Sequence, residues 1–171
     1  VTQPDPNFNL LDRFLIMMLA QDIPVTVCFN KTDLEAGEKQ EEYRKIYEQA
    51  GYPVMFVSTY EKTGVEAVRE YLRGKTTILA GVGKSSLTNL LQPEAAMETG
   101  SISEKIKRGK HTTRHAELFC VEEDTYLMDT PGFSSMYLEE IEPQNLKDYF
   151  PEFEAFEPAC RFAADCVHIG E

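Results

Sequence analysis

The 171-residue sequence contains no apolar run long enough to cross a bilayer: the longest, Phe14 to Ala20, falls far short of the ~20 residues a spanning helix needs. It reads as one buried helix, and no membrane association is expected. Cysteine is scarce as well. Cys28, Cys120, Cys160 and Cys166 are too few and too unevenly spaced to staple a chain of this size, which excludes a disulfide scaffold and fits a reducing cytoplasm. Neither an initiator Met nor a basic-then-apolar leader stands at Val1, so the sequence reads as an excerpt that something precedes, with no visible export signal. Basic residues are in the minority, 17 Lys and Arg against 29 Asp and Glu, for a net charge of −12 and a pI near 4.7. At face value that balance disfavours broad phosphate neutralisation of a nucleic acid.

The acidic excess is local. Up to His115 the chain carries 15 basic and 15 acidic residues, and beyond it 2 against 14, so only the tail is acidic. What is present suffices for a core: 42% hydrophobic and 11% aromatic residues exclude a disordered chain, and the length fits one domain with at most a small appendage.

Periodicity orders the first part of the chain. From Asn9 to Gln21 the apolar residues Leu10, Leu11, Phe14, Leu15, Met17 and Met18 recur at helical spacing, and Gln21 to Pro24 stops the pattern. Val25 to Phe29, Pro53 to Val57 and Thr76 to Ala80 are short buried-strand patterns, and Gly37 to Ala50, Val65 to Leu72 and Lys84 to Leu91 are helical. Alternation of this kind predicts an α/β fold: a mostly parallel sheet with right-handed crossovers, covered on both faces. Glu94 to Arg114 is polar and predicts a mobile loop, and Glu117 to Val121 with Thr125 to Met128 predicts a strand pair turning over Glu122 to Asp124. Past Gly132 the chain turns acidic, aromatic and Pro-punctuated, so a boundary is placed near Ser134 to Tyr137.

Three motifs fall at strand ends. Gly81-Val82-Gly83-Lys84-Ser85-Ser86 lies between a strand and an apolar helix, where glycine backbone can crowd N–H groups around phosphates, Lys84 can reach the terminal phosphates and Ser85 can offer a hydroxyl to Mg²⁺. The full pattern G-x-x-x-x-G-K-[ST] would put its first Gly at position 78, where Ile78 stands. Either the loop is degenerate, or the sequence skips a few residues between Ala80 and Val82; the second is favoured, and an intact mass above 19.5 kDa would reveal it. Asn30-Lys31-Thr32-Asp33 supplies what guanine recognition needs. The Asp33 carboxylate can accept from N1–H and the exocyclic amine, Asn30 can bridge base and loop, and the Lys31 stem can cover the ring; the bland alternative is a turn cap through Asp33. Asp129-Thr130-Pro131-Gly132 can hold Mg²⁺ through water at Asp129 and sense a γ-phosphate at the Gly132 N–H. Ser58-Thr59 falls where a further backbone contact to the base would lie.

The guanine motif here precedes the phosphate loop, which precedes Asp129-x-x-Gly132, a circularly permuted order. With Gln3-Pro4-Asp5-Pro6-Asn7, Leu10-Leu11-Asp12-Arg13, Gly109-Lys110-His111-Thr112-Thr113 and Phe133-Ser134-Ser135, the whole sequence resembles the RsgA family of ribosome small-subunit-dependent GTPases. The resemblance implies a permuted GTPase domain over 1–135, a truncated, mainly helical zinc-binding subdomain over 136–171, and an N-terminal OB-fold domain absent from this sequence. It implies GTP/GDP and Mg²⁺ as ligands, and a monomer acting on the small ribosomal subunit and its rRNA in late maturation. Lys105 to Arg114 then becomes a switch loop, with Thr112 or Thr113 completing the Mg²⁺ sphere. Phe133 cannot orient the attacking water, so His111, with Lys84 and Thr113, is the candidate catalytic group; a competing reading has His111 contacting rRNA.

Cys160, Cys166 and His168 could place two thiolates and an imidazole on one structural Zn²⁺. The resemblance implies a fourth ligand beyond Glu171, and a gap between the first two Cys one residue shorter than the one found. Cys28 and Cys120 are expected to be small core residues. The rival function is a nucleotide-dependent rRNA-binding checkpoint in which occupancy rather than turnover matters; another permuted ribosome-assembly GTPase is a second.

Overall fold

The computed structural model describes residues 6–34, 37–92, 117–129 and 141–153. They fall into two compact units whose boundaries pass through two strands and one helix: residues 28–34, 37–40, 55–92 and 117–129 form the first, and 6–27, 41–54 and 141–153 the second. The polar loop at 94–114, the boundary near Ser134 to Tyr137 and the Cys/His cluster lie outside the described residues.

Among the described residues, nine helices and strands follow the expected order: α1 Phe8–Ala20, β1 Val27–Asn30, α2 Gly37–Gln49, β2 Val54–Val57, α3 Val65–Leu72, β3 Thr76–Leu79, α4 Lys84–Leu91, β4 Glu117–Glu122 and β5 Thr125–Asp129. Three short 3-10 helices, Thr32–Leu34, Pro143–Tyr149 and Pro151–Phe153, complete the description. Helix α1 begins one residue earlier than its apolar period suggests, because the Asn7 side chain accepts a hydrogen bond from the Leu10 N–H at 3.1 Å and caps the first turn.

The core of the first unit sets its architecture. Val57 from β2, Val65, Val68 and Leu72 from α3, Leu87 and Leu91 from α4 and Leu127 from β5 form one buried cluster. Burying a side chain of this size contributes about 1.5–3 kcal/mol. Strand β3 pairs parallel with β5, with Leu79 opposite Asp129, and β4 returns antiparallel to β5 because only Glu123-Asp124 joins them, too short a link for a parallel crossover.

The expected single, mostly parallel sheet is therefore found only in part. Among the described residues β1 and β2 form a two-stranded sheet, and β3, β5 and β4 form a separate mixed one. These strands are mostly four residues long and offer few pairing groups, and apolar contact between Val57 and the cluster holding Leu127 joins what the ladders do not. Within this unit α3 and α4 cover one sheet face, whereas Ile78, Leu118 and Tyr126 on the other are exposed. Cys28 and Cys120 are exposed as well, not core residues. Period-2 alternation is the reason: Val121 packs on the core, so Cys120 beside it points away, and Val27 is buried, so Cys28 is not.

The second unit is organised by aromatic packing. Phe8 lies against Tyr43 at 5.1 Å between ring centroids and against Tyr47 at 6.4 Å, Leu15 and Ile16 are buried, and Pro143–Tyr149 contacts α1. The Tyr47 hydroxyl donates to Asp12 Oδ1 at 3.1 Å. Burial, then the charge of Asp12 and the hydrogen bond to it, push the Tyr47 phenol well above its ordinary range. The folded state therefore keeps a proton that the unfolded chain releases. Stability from this group is complete below about pH 10 and declines as pH rises further. Tyr47→Phe should remove this titration along with a hydrogen bond worth about 1 kcal/mol. Urea midpoints from pH 7 to 11 should show the variant less stable at pH 7 and the difference narrowing above pH 10; parallel curves would exclude the assignment.

Candidate functional site

The C-terminal ends of β1, β2 and β3 lead into the three predicted loops, the place where open α/β sheets present ligand groups. Asn30, the last residue of β1, joins all three. Its Oδ1 accepts from the Lys31 N–H at 2.7 Å and from the Thr59 N–H at 3.2 Å, and its Nδ2 donates to the Gly83 carbonyl at 3.5 Å. One side chain thus ties the Asn-Lys-x-Asp turn to the loop after β2 and to the loop before α4. Lys31 sits at φ 67°, which turns the chain sharply into Thr32–Leu34, and the Leu34 N–H closes the turn on the Lys31 carbonyl at 3.0 Å. Gln40 Nε2 donates to the Thr32 carbonyl at 3.2 Å and braces the same turn.

Asp33 is exposed, and its Oδ1 accepts a short hydrogen bond from Ser58 Oγ. Ser58 is fully buried, and its hydroxyl oxygen also accepts from the Glu61 N–H at 3.0 Å. A buried hydroxyl with both capacities used is a fixed support: it holds one carboxylate oxygen in place and leaves the other for a ligand. Ser58 thus has a positioning role that the sequence pattern did not indicate. Thr59, beside it, is held through its backbone.

The loop from β3 to α4 is Ala80 to Gly83, with Gly81 at φ 104° and Gly83 at φ 83°. Both values lie where only glycine is unstrained. A Cβ on Gly83 would meet Asn30 Nδ2 at 3.2 Å, so glycine there also makes room for the bridging amide. Lys84, Ser85 and Ser86 open α4 half-buried, Val82 is exposed, and Leu87, Thr88 and Leu91 anchor the helix in the core. The parallel register sets the backbone of Asp129 beside Leu79, next to the start of this loop. By their chemistry alone, serine hydroxyls and an aspartate carboxylate are the oxygen donors that a hard cation such as Mg²⁺ takes.

Gly64 went unrecognised from sequence. It stands at φ 72° before α3, and a Cβ there would lie 2.3 Å from the Phe56 carbonyl oxygen. The close approach lets the Ser58 N–H reach the Thr63 carbonyl at 3.0 Å, and this bridge shapes the loop that carries Ser58 and Thr59. Its one sequence signal is a glycine directly before an apolar-periodic helix. His111, Thr112, Thr113, Gly132, Cys160, Cys166 and His168 lie outside the described residues. Among the described residues no group of three or more His, Cys, Asp or Glu is arranged to hold a metal, and no helix is long and apolar enough to cross a membrane.

Comparison with known proteins identifies the relatives of this chain. The small ribosomal subunit biogenesis GTPase RsgA of Agathobacter rectalis is 56% identical over 99% of this chain and 57% of its own length. The protein of the same name from Alkaliphilus metalliredigens is 48% identical in an alignment of 174 positions that takes in 100% of this chain and 59% of the relative. The crystal structure of YjeQ from Thermotoga maritima superposes with a TM-score of 0.71 at 31% identity, covering 98% of this chain and 56% of that one. YloQ, described as a circularly permuted GTPase, gives 0.68 at 31% identity, covering 99% and 54%. The chain spans less than two thirds of the length of these relatives. With the RsgA GTPase family model matching residues 1–139 as well, the chain belongs to the RsgA GTPase family.

Proposed function

We propose that this chain is the guanine-nucleotide-binding and GTP-hydrolysing part of a cytoplasmic, monomeric protein that assists late maturation of the small ribosomal subunit. The observation that carries this reading is the convergence on Asn30, which holds the base-recognition turn, the Ser58-Thr59 loop and the phosphate loop together. Asn30, Lys31 and Asp33 select guanine, Ser58 and Thr59 flank it, and Gly81 to Ser86 face the phosphates. Mg²⁺ would be held by Ser85 and Asp129 with Thr112 or Thr113, and would neutralise charge developing on the β- and γ-phosphates. His111 is the candidate for placing the attacking water.

The zinc reading rests on the donor set. The thiols of Cys160 and Cys166 and the imidazole of His168 are ligands typical of a structural Zn²⁺ site, which closes with a fourth. Contact with rRNA falls to the basic run Lys105, Lys107, Arg108, Lys110 and Arg114 in an otherwise acidic protein.

Single-turnover hydrolysis of GTP at millimolar concentration, with and without small ribosomal subunits, tests the reading. Stimulation of about tenfold or more, equivalent to ~1.4 kcal/mol of barrier, is expected. Unchanged turnover would point to the checkpoint function, in which binding alone carries the signal.

A further inference from the structure

Resting on the guanine-nucleotide reading above, we propose that Tyr60 is a further binding residue of the nucleotide site, its ring stacking on the face of the base that Lys31 leaves open. Tyr60 lies near the tip of the loop between β2 and α3, which the bridge between Ser58 and Thr63 closes. Its backbone is fixed on both sides: the Thr59 N–H donates to Asn30 Oδ1 at 3.2 Å, the Glu61 N–H to Ser58 Oγ at 3.0 Å, and the Ser58 N–H to the Thr63 carbonyl at 3.0 Å. Its side chain, by contrast, stands in water. Tyr60 is 86% exposed, the most exposed large hydrophobic side chain among the described residues, and no hydrogen bond or ring contact there holds it.

Position, more than exposure, carries the assignment, since single exposed aromatics are ordinary on protein surfaces. Tyr60 directly follows the two residues that hold the base-recognition turn: Ser58 donates to Asp33, and Thr59 donates to Asn30. The hydrogen bonds that hold Asp33 for the edge of a guanine therefore also set the origin of the Tyr60 side chain close to that edge. A purine has two flat faces, and the Lys31 stem suits one of them. A ring standing in water gains by covering the other, and the loop that carries it is already ordered, so little backbone entropy is lost on binding. Stacking is tolerant of base identity because every base has a π-face. Asp33 thus selects the base, and Tyr60 adds affinity for whatever base Asp33 admits, without reaching the phosphates.

Isothermal titration of the full chain and of Tyr60→Ala with GMP, GDP and ADP tests the proposal. The alanine variant should bind GMP and GDP more weakly by the same factor, about 10- to 100-fold. Its melting temperature should stay within about 2 °C of the parent's, because so little of the side chain is buried. Tyr60→Phe keeps the ring and should bind GDP within about threefold of the parent; a loss as large as alanine's would overturn stacking in favour of a hydroxyl contact. The sequence contains no tryptophan, so Tyr60→Trp places a single indole at the site. Its emission should be quenched in step with GDP binding, and unchanged emission at saturation would overturn the proposal. GDP held by Tyr60→Ala within about twofold of the parent would also overturn it, while leaving the guanine reading intact. A parent that binds ADP as tightly as GDP would overturn the guanine reading, and this proposal with it.

Discussion

Substituting alanine for Gly64 is expected to lower the melting temperature by roughly 5–15 °C, the largest stability effect of any single methyl addition to the described glycines. Two costs combine. A left-handed conformation at φ 72° costs an alanine about 1–2 kcal/mol, and overpacking at a site that cannot give costs about 1–3 kcal/mol more. The atom in the way is the Phe56 carbonyl oxygen, 2.3 Å from the added Cβ, and it belongs to strand backbone rather than to a flexible side chain. Gly74→Ala separates the two costs, since Gly74 has φ 70° but nothing within 4 Å of a Cβ. Its melting temperature should fall by no more than about half as much, and equal shifts in the two variants would show that backbone strain alone is responsible. Because Gly64 shapes the bridge between Ser58 and Thr63, the Gly64 variant should also bind guanine nucleotides more weakly below its transition; Gly74→Ala should not.

The element order was legible because each helix and strand states its period in the apolar residues. Val65 to Leu72 and Lys84 to Leu91 are found where their spacing predicts, and most other ends shift by one or two residues where a cap such as Asn7 decides the boundary. Which strands would pair was less legible. Four-residue strands carry too little pattern to specify neighbours, and the break between β1-β2 and β3-β5-β4 depends on contacts distant in sequence. The burial of Cys28 and Cys120 was misjudged for a related reason: a short apolar run does not reveal which of its two faces meets the core. Asn30, Lys31, Asp33, Gly83 and Lys84 stood out as candidates in the sequence because the chemistry proposed for them fixes their spacing. The roles of Ser58 and Gly64 were not, since a hydroxyl beneath a carboxylate and a hydrogen beside a carbonyl leave no periodic trace.

Asp33→Asn is expected to weaken guanine nucleotides by about 100- to 1000-fold while favouring xanthine nucleotides relative to them. The carboxylate offers only acceptors, and guanine presents two donors, N1–H and the exocyclic amine, on the edge it would meet. An asparagine has one oxygen and one NH₂. Ser58 Oγ, buried and already accepting from the Glu61 N–H, needs an acceptor for its own proton and therefore selects the amide orientation that keeps the oxygen toward it. The NH₂ then faces the base, donor against donor with the guanine amine, a mismatch that costs more than a missing bond. Xanthine carries a carbonyl where guanine carries the amine and turns the same contact favourable. Competitive displacement of a fluorescent guanine nucleotide by GDP and by xanthosine diphosphate should show the order of the two reversed in the variant. Double substitution with Ser58→Ala removes the group that orients the amide, so the reversal should shrink while guanine binding stays weak. Persistence of the original preference in Asp33→Asn would mean that the base is read elsewhere than at the end of β1.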